Sequence, residues 1–246
     1  MTAQQMARLA PIIFVFVLAA ACSRAEPSRS ASDVGSVSGT NGGSTGGSER
    51  AGSAVRGSRP RIVFLGDSLT AGLGLDPADN ITSLLQQRLI DEGYAYEVVN
   101  AGVSGDTSAG GRSRLDWSLA GDVKILVVEL GGNDGLRGLP VAALKENLAA
   151  IIQRAKERDV RVLLTGMEAP PNFGHAYTTE FRQVFRDLAG EHDVAFMPFF
   201  LDGVAGNARL NQADGIHPNP AGARVVETNV WRALEPLLDK AHKTDD

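Results

Sequence analysis

The sequence predicts an α/β domain built on a doubly wound parallel sheet, in which strands alternate with helices. Short apolar runs alternate with longer amphipathic stretches along residues 61–240, a pattern typical of parallel strands joined by right-handed crossovers. The strongest apolar run, residues 123–130 (VKILVVEL), is hydrophobic almost throughout, as are strands buried on both faces. Ligands of such sheets bind beyond the carboxyl ends of the strands, so functional residues are expected there.

The N-terminal half of the domain contains three predicted strands and one helix. Residues 62–65 (IVFL) form a short apolar strand. Apolar residues recur on one face of a helix over residues 81–89, which Gly93 ends. Residues 96–99 predict a second strand, and residues 123–130 a third strand in the middle of the sheet.

The C-terminal half alternates helices and strands. In chain order these are a helix at 139–158, a strand at 160–164, a helix at 178–189, a strand at 194–197 and a helix at 220–238. Pro140 is expected in the first turn of the first of these helices, where a missing N–H is tolerated.

The composition excludes several classes of protein. The chain has 246 residues, of which 43% are hydrophobic and 22% charged, so it can bury a core of ordinary size. Its single cysteine cannot form an intrachain disulfide or a thiolate metal cage. Its net charge is −5 and its 24 Lys and Arg residues are scattered, whereas nucleic-acid binding needs a concentrated basic face. No nucleic-acid partner is therefore expected.

The first 22 residues have the features of a signal peptide. Arg8 precedes an apolar run that ends in three alanines, and the run is shorter than the about 20 apolar residues a membrane-spanning helix needs. Cys22 follows the alanines and resembles the lipobox cysteine of bacterial lipoproteins, so lipidation after cleavage is expected. Ala19 stands where a lipobox usually has leucine. Cleavage without lipidation, which would release a soluble protein, is therefore the alternative.

The residues after Cys22 predict a flexible tether followed by one domain. Residues 23–60 are rich in Ser, Gly, Ala and Thr and show no apolar periodicity, so they cannot bury enough apolar area to offset ordering entropy. Ser23 resembles the second residue of lipoproteins sorted to the outer membrane, so a periplasmic or outer-membrane lipoprotein is expected. Residues 61–240 form the predicted domain and residues 241–246 a polar tail.

Four clusters of glycine and polar residues lie at the predicted carboxyl edge of the sheet. In chain order they are 66–70 (GDSLT), 104–107 (SGDT), 131–134 (GGND) and 214–217 (DGIH). Hydrolytic acyl transfer needs a hydroxyl nucleophile, an imidazole base, a carboxylate and donors to an oxyanion. The four clusters contain each of these groups.

Each candidate residue has a definite expected role. Ser68 is the candidate nucleophile, because at a strand-to-helix turn its hydroxyl can point out of the sheet. His217 is the candidate base, and Asp214, three residues earlier in a turn with glycine, can hold its Nδ1. Gly105 lacks a Cβ and can present its backbone N–H, and Asn133 can offer its side-chain amide. With the N–H of Ser68, these make three expected oxyanion donors.

The remaining histidines and aspartates receive no catalytic or metal role. None of the other histidines has a matching acidic partner in a strand-end loop; these are His175, His192 and His242. The aspartates within the clusters are expected to accept N–H bonds in their loops, because a hard cation needs several converging carboxylates; these are Asp67, Asp106 and Asp134. Residues 72–77 lack the third glycine of a dinucleotide fingerprint. No cofactor and no metal are expected.

The four clusters together resemble the SGNH hydrolases, also called the GDSL lipase/esterase family. The strings that are most similar to its bacterial exported thioesterase I/lysophospholipase L1 and arylesterase branch are 98–108 (VVNAGVSGDTS), 127–138 (VVELGGNDGLRG) and 214–219 (DGIHPN). The resemblance covers residues 61–238 and implies a three-layer, flavodoxin-like fold. It also implies Ser68 as nucleophile, the Asp214 and His217 pair, and oxyanion donors at Ser68, Gly105 and Asn133.

One departure from the family concerns the substrate loop. The family branch commonly has a Leu-Pro pair there, and the matching residues 167–174 read MEAPPNFG in this chain. The acyl-chain preference of the family is therefore not implied.

The expected activity is hydrolysis of acyl esters or thioesters through an acyl-enzyme on Ser68, of the esterase, lysophospholipase or thioesterase type. The expected substrate is a small acyl ester or lipid, the protein is expected to be a monomer, and membrane contact is expected only through a lipid on Cys22. One alternative is a carbohydrate O-acetylesterase. The other is a non-catalytic surface lipoprotein that binds lipids or glycans, which would have no need for the whole Ser, Asn, Asp and His set.

Overall fold

The computed structural model describes residues 59–239 and 242–243, and its centre is a five-stranded sheet. Its strands are β1 (Arg61–Gly66), β2 (Glu97–Gly102), β3 (Val123–Glu129), β4 (Arg161–Thr165) and β5 (Ala195–Met197). All neighbouring strands are parallel, in the order β2-β1-β3-β4-β5. This is the order of a flavodoxin-like, doubly wound sheet. The predicted fold class is confirmed, and β3 lies mid-sheet as predicted.

Helices cover both faces of the sheet. Within the described residues the α-helices are α1 (Ser68–Ala71), α2 (Ile81–Asp91), α3 (Ser108–Ser113), α4 (Leu115–Ser118), α5 (Gly132–Leu136), α6 (Val141–Lys156), α7 (His175–His192) and α8 (Pro220–Leu234). Helix α2 packs against α8, and α6 packs against α3 and α7. The chain crosses from β1 to β2 in one direction and from β3 to β5 in the other, so right-handed crossovers place α2 and α6 on opposite faces.

The strand register brings three loops together at one edge. Gly66, the last residue of β1, pairs with Gly102 at the end of β2 and with Glu129 at the end of β3. The loops that follow these strands contain the first three polar clusters. The strands are anchored below this edge by an apolar core in which residues 125–128 of β3 are fully buried.

Several helix ends differ from the predicted ones. Helix α6 begins at Val141, and Pro140 is the residue before it, with an extended ψ of 126°. The expectation that Pro140 lies in the first turn is therefore wrong. Helix α7 extends beyond the predicted residues 178–189 at both ends. Helix α8 stops at Leu234, short of the predicted end at 238, and the chain continues as a 3₁₀ turn containing Pro236, whose missing N–H cannot continue an α-helix.

The predicted N-terminal segments lie outside the described residues. These are the signal peptide of residues 1–22 with Cys22, and residues 23–58 of the tether. Two residues of the predicted polar tail are described. The His242 ring lies edge-on to Tyr96 at 5.2 Å between ring centroids, and Lys243 forms an antiparallel bridge with Tyr94. Within the described part of the chain, no helix has both the length and the apolar character required to cross a membrane.

Candidate active site

The candidate nucleophile lies in the turn between β1 and α1. Ser68 is the first residue of the four-residue helix α1. The preceding residue, Asp67, caps this helix, because its Oδ1 accepts a hydrogen bond from the N–H of Leu69 at 3.0 Å. The turn therefore presents the Ser68 side chain at the carboxyl edge of the sheet.

Ser68, His217 and Asp214 form one hydrogen-bonded chain. The Ser68 Oγ lies 2.8 Å from His217 Nε2, and His217 Nδ1 lies 2.6 Å from Asp214 Oδ2. A carboxylate can only accept, so Nδ1 is protonated and Nε2 accepts from the Ser68 hydroxyl. This is the tautomer in which imidazole can take the hydroxyl proton.

The loop before α8 holds this base and its carboxylate locally. Asp214 Oδ1 accepts hydrogen bonds from the backbone N–H groups of Ile216 at 2.9 Å and His217 at 3.0 Å. Gly215 has a φ of +72°, a conformation that glycine adopts without strain. The tight turn points Asp214 Oδ2 back at the imidazole.

The same contacts keep Asp214 ionised. The hydrogen bond from His217, together with the two backbone N–H bonds, lowers the pKa of Asp214 from 3.8 to about 2. Hydrogen bonds to a carboxylate favour its charged form. Asp214 is therefore negatively charged at neutral pH and can stabilise a positive imidazolium on His217.

Asn133 lies beside Ser68, at the second position of the short helix α5 that follows β3. Its Nδ2 donates a hydrogen bond to Asp67 Oδ2 at 3.0 Å. A side-chain amide has two N–H groups, so one remains for a further acceptor. Asp67 thus holds the amide that the sequence predicts to be an oxyanion donor.

The cavity described next is lined by Ser68, Asn133 and His217, and Asp214 contacts it through His217, whereas Gly105 lies apart from this cavity. Gly105 is exposed, has a φ of +85°, and its carbonyl accepts a hydrogen bond from Arg137 Nη2 at 2.8 Å. It does not belong to the cavity lining described next.

A cavity of about 550 Å³ opens at Ser68, Asn133 and His217. The rest of its wall is mostly apolar and includes Leu136, Met167, Ala169, Pro170, Pro171, Phe199, Leu201 and Ile216. The loop that departs from the family pattern therefore lies in the cavity wall. Such a lining suits an alkyl chain next to a polar reacting group.

The aspartates of the clusters have separate partners. Asp134 accepts from the N–H of Ser108 at 2.8 Å and from its hydroxyl at 2.6 Å. With the N–H bond to Asp67 described above, this confirms the predicted loop bonds for two of the three aspartates. Asp106 instead pairs with Arg114, whose Nε lies 2.6 Å from Asp106 Oδ2, so the prediction for Asp106 is wrong. Among the described residues, no group of three or more His, Cys, Asp and Glu is arranged to hold a metal ion.

Two further residues that the sequence reasoning missed support the turn. Arg114 donates to the carbonyls of Gly66 at 2.8 Å and of Ala101 at 2.5 Å, so it ties together the ends of β1 and β2. Glu129 is fully buried under the Ser68 turn. Glu129 could have been identified from the sequence, because it is the one acidic residue in the apolar run VKILVVEL. An acidic residue is rarely buried without specific partners.

The sequence of this chain is similar to those of known esterases and thioesterases. The model of the GDSL-like Lipase/Acylhydrolase family matches residues 64–225. The esterase TesA of Pseudomonas aeruginosa is 50% identical over 178 residues, which cover 72% of this chain and 89% of the relative. The thioesterase 1/protease 1/lysophospholipase L1 of Escherichia coli K12 is 35% identical over 179 residues, covering 72% and 85%.

A solved structure shares the fold. The esterase EstA from Pseudoalteromonas sp., inhibited by monoethylphosphonate, superposes with a TM-score of 0.69 at 32% identity. The match covers 72% of this chain and 97% of that chain.

Proposed function

The chain belongs to the GDSL-like lipase/acylhydrolase family and is a carboxylic ester hydrolase, and from this premise we propose that it cleaves acyl esters and thioesters through an acyl-enzyme on Ser68. The observation that supports this mechanism most directly is the 2.8 Å contact between Ser68 Oγ and His217 Nε2. It continues through the 2.6 Å contact between His217 and Asp214. A nucleophile, its base and the orienting carboxylate are thus already in hydrogen-bond contact.

In the first half of the reaction, Ser68 Oγ attacks the carbonyl carbon and its proton moves to His217 Nε2. Asp214 stabilises the resulting imidazolium through Nδ1. The tetrahedral intermediate collapses, the bond to the leaving oxygen or sulfur breaks, and the leaving group takes the proton from Nε2. The acyl group remains as an ester on Ser68.

The oxyanion of the tetrahedral intermediate is stabilised by hydrogen-bond donors that are already in position before the negative charge develops. Ser68 and Asn133 line the cavity. We propose the backbone N–H of Ser68 and the free N–H of the Asn133 amide as two of these donors, and Gly105 as the third. Each donor of this kind contributes about 2.7–4 kcal/mol to transition-state stabilisation. Because Gly105 lies outside the cavity lining, its N–H would reach the oxyanion only from the edge of the site.

In the second half, His217 Nε2 takes a proton from water as the water oxygen attacks the acyl carbon. The second tetrahedral intermediate uses the same donors. When the bond to Ser68 breaks, Oγ regains its proton from Nε2 and the carboxylic acid leaves. The cycle restores every group and requires no cofactor.

The apolar cavity wall indicates that the site binds the acyl chain of the substrate. Burying one methylene contributes about 0.8 kcal/mol, so an apolar wall next to Ser68 favours chains longer than acetyl. Lysophospholipids and acyl thioesters combine such a chain with a single ester or thioester bond. A carbohydrate O-acetylesterase would have little use for this wall.

Export, lipidation of Cys22 and a monomeric state are part of the same proposal. The pattern of Arg8, the apolar run and the alanines before Cys22 supports export and the lipid anchor. All proposed catalytic groups come from a single chain, so the proposed site does not need a second copy, and a monomer remains our proposal. Metabolic labelling with a radioactive fatty acid, compared with Cys22→Ser, tests the anchor: labelled wild type and unlabelled variant are expected, and an unlabelled wild type would overturn lipidation.

Hydrolysis of p-nitrophenyl esters from acetyl to palmitoyl tests the proposed function. We expect kcat/KM to peak at medium or long chains and to fall about 10³-fold or more in Ser68→Ala. Ser83→Ala, at an exposed serine of α2, is the matched control and should retain full activity. Full activity of Ser68→Ala would overturn the mechanism. Cleavage of acetyl esters alone would favour the carbohydrate esterase, and no hydrolysis by folded wild type would favour the binding protein.

A further inference from the structure

A buried carboxyl group lies directly under the candidate nucleophile. Glu129, the last residue of β3, is fully buried. Its Oε2 accepts hydrogen bonds from the N–H of Asp67 at 3.2 Å, the N–H of Thr70 at 3.2 Å and the hydroxyl of Thr70 at 2.7 Å. The donors come from the residue before Ser68 and from the residue two positions after it. One oxygen atom therefore holds both sides of the turn.

The backbone makes room for this oxygen. A side chain at position 66 would not fit. A Cβ on Gly66 would lie 2.5 Å from Glu129 Oε2 and would collide with the Thr70 hydroxyl. Only glycine at this position leaves room for both the Glu129 carboxyl group and the Thr70 hydroxyl. The hydrogen bond between these two side chains therefore depends on the missing side chain of Gly66.

The other oxygen of Glu129 has no comparable environment. Oε1 is buried and has no hydrogen-bond partner among the described residues. In contrast, Asp67 accepts a hydrogen bond on each of its carboxylate oxygens, from Leu69 and from Asn133. Of the two neighbouring carboxyl groups, only Asp67 has a hydrogen-bond donor on each oxygen, so burial disfavours a negative charge on Glu129 more than on Asp67.

The electrostatics agree with this assignment. Burial, with a further contribution from the charge of Asp67, raises the pKa of Glu129 well above its usual range. A negative charge on Glu129 would also lie against Asp67, the residue before Ser68, and would disfavour the oxyanion that the proposed mechanism forms at Ser68. A neutral Glu129 avoids this cost.

We propose that Glu129 is a positioning residue for Ser68: it fixes the turn on both sides of the nucleophile through Oε2 and does so without a negative charge. The inference rests on the proposed function, because it assigns Ser68 as the nucleophile. Its effect is geometric, since small displacements of a reacting group can reduce the rate by as much as about 10²-fold.

Substitutions of Glu129 separate its shape from its charge. Glu129→Gln keeps an oxygen for the three donors and removes the ionisable group, so we expect kcat within about threefold of wild type. Glu129→Ala removes the acceptor, so we expect kcat to fall about tenfold to 10²-fold with KM changed less than about twofold. Thr165→Val is the matched control, because Thr165 is a buried polar residue at the end of β4 that bonds the carbonyl of Val128. It should lower stability and leave kcat unchanged.

The possible outcomes decide between positioning and a merely structural role. An Ala variant that is less stable but turns over at the wild-type kcat would overturn the proposal. A Gln variant as slow as Ala would show that the charge is required, which also overturns it. Recovery of kcat by Gln, with KM constant throughout, supports it.

A readout that does not depend on turnover keeps the test separate from the proposed function. Amide hydrogen exchange at Asp67 and Thr70 should be slow in wild type and Glu129→Gln, and at least about tenfold faster in Glu129→Ala. If Glu129→Ala does not fold, Thr70→Val removes one of the three donors and should accelerate exchange at Asp67. Slow exchange in every variant would overturn the inference. Normal exchange results without any ester hydrolysis by wild type would overturn only the proposed function.

Discussion

Asp67 Oδ2 accepts a hydrogen bond from Asn133 Nδ2 at 3.0 Å, which joins the residue before the candidate nucleophile to a candidate oxyanion donor. Asp67 follows β1 as the N-cap of α1, and Asn133 lies in α5, which follows β3. The contact therefore sets the position of the amide relative to the Ser68 turn. Asp67 is itself largely buried, and burial raises its pKa, while the hydrogen bonds from Leu69 and Asn133 oppose that shift.

Asp67→Asn should reduce kcat about tenfold to 10²-fold with little change in KM, because Asn133 loses the acceptor that orients it. Asn133→Ala should cost about 10² to 10³ in kcat. If both act through one amide, the double variant should be no slower than Asn133→Ala alone. Steady-state kinetics of the three variants measure this coupling, and fully multiplicative effects would contradict it.

Gly66→Ala should destabilise the fold, because its Cβ would overlap Thr70 and approach Glu129. We expect a loss of at least about 1–3 kcal/mol in the free energy of unfolding by urea. Gly190→Ala is the matched control, since it lies within α7 with nothing near its Cβ position. That substitution should stabilise the helix by about 0.5–1 kcal/mol. Equal effects at the two glycines would refute the overlap argument.

Arg114→Lys should lower both stability and kcat. The guanidinium bonds two strand-end carbonyls and Asp106 at once, and an ammonium group cannot reproduce that planar arrangement. We expect a loss of about 1.5–3 kcal/mol in the free energy of unfolding. The control is Arg112→Lys, at an arginine whose ion pair with Glu146 is exposed and should contribute less than about 1 kcal/mol. Urea unfolding and kcat of both variants provide the comparison.

The Asp214 contact should stabilise the fold in a pH-dependent way. Its pKa is about 2 in the folded protein and 3.8 ordinarily, so the folded state binds fewer protons than the unfolded state between these values. The stabilisation is fully present above about pH 4 and is lost as the pH falls towards 2. Because the Asp214 side chain is 43% exposed, we expect less than about 1 kcal/mol.

Urea unfolding of wild type and Asp214→Asn at pH 6, 4 and 3 checks this prediction. The difference in the free energy of unfolding between wild type and Asp214→Asn should be similar at pH 6 and pH 4. It should be smaller at pH 3. A difference that stays constant down to pH 3 would argue against a lowered pKa of Asp214.

The sequence predicted the sheet and the meeting of the candidate groups for a simple physical reason. Parallel strands end at one edge, so polar residues that follow Leu65, Val99 and Leu130 in the chain must approach one another. The base and its carboxylate were predictable because Asp214 and His217 are three residues apart, a purely local relationship.

The cross-strand contacts could not be predicted in the same way. Glu129 reaches Thr70, and Arg114 reaches Gly66, only because of the exact pairing register between β1 and its neighbours. Register depends on packing across the sheet rather than on any local pattern. The short helices α3, α4 and α5 were missed because they are too short to show apolar periodicity.

The local turn that joins Asp214 to His217 makes the base and its carboxylate one unit, so the Ser68, His217 and Asp214 chain has one contact between separate segments. When the loop before α8 is displaced, the carboxylate and the imidazole travel as one unit, and the proton on Nδ1 stays where it is. Only the gap between His217 Nε2 and Ser68 Oγ opens or closes. A displacement of this loop would therefore separate the base from the nucleophile and leave the contact between His217 and Asp214 intact.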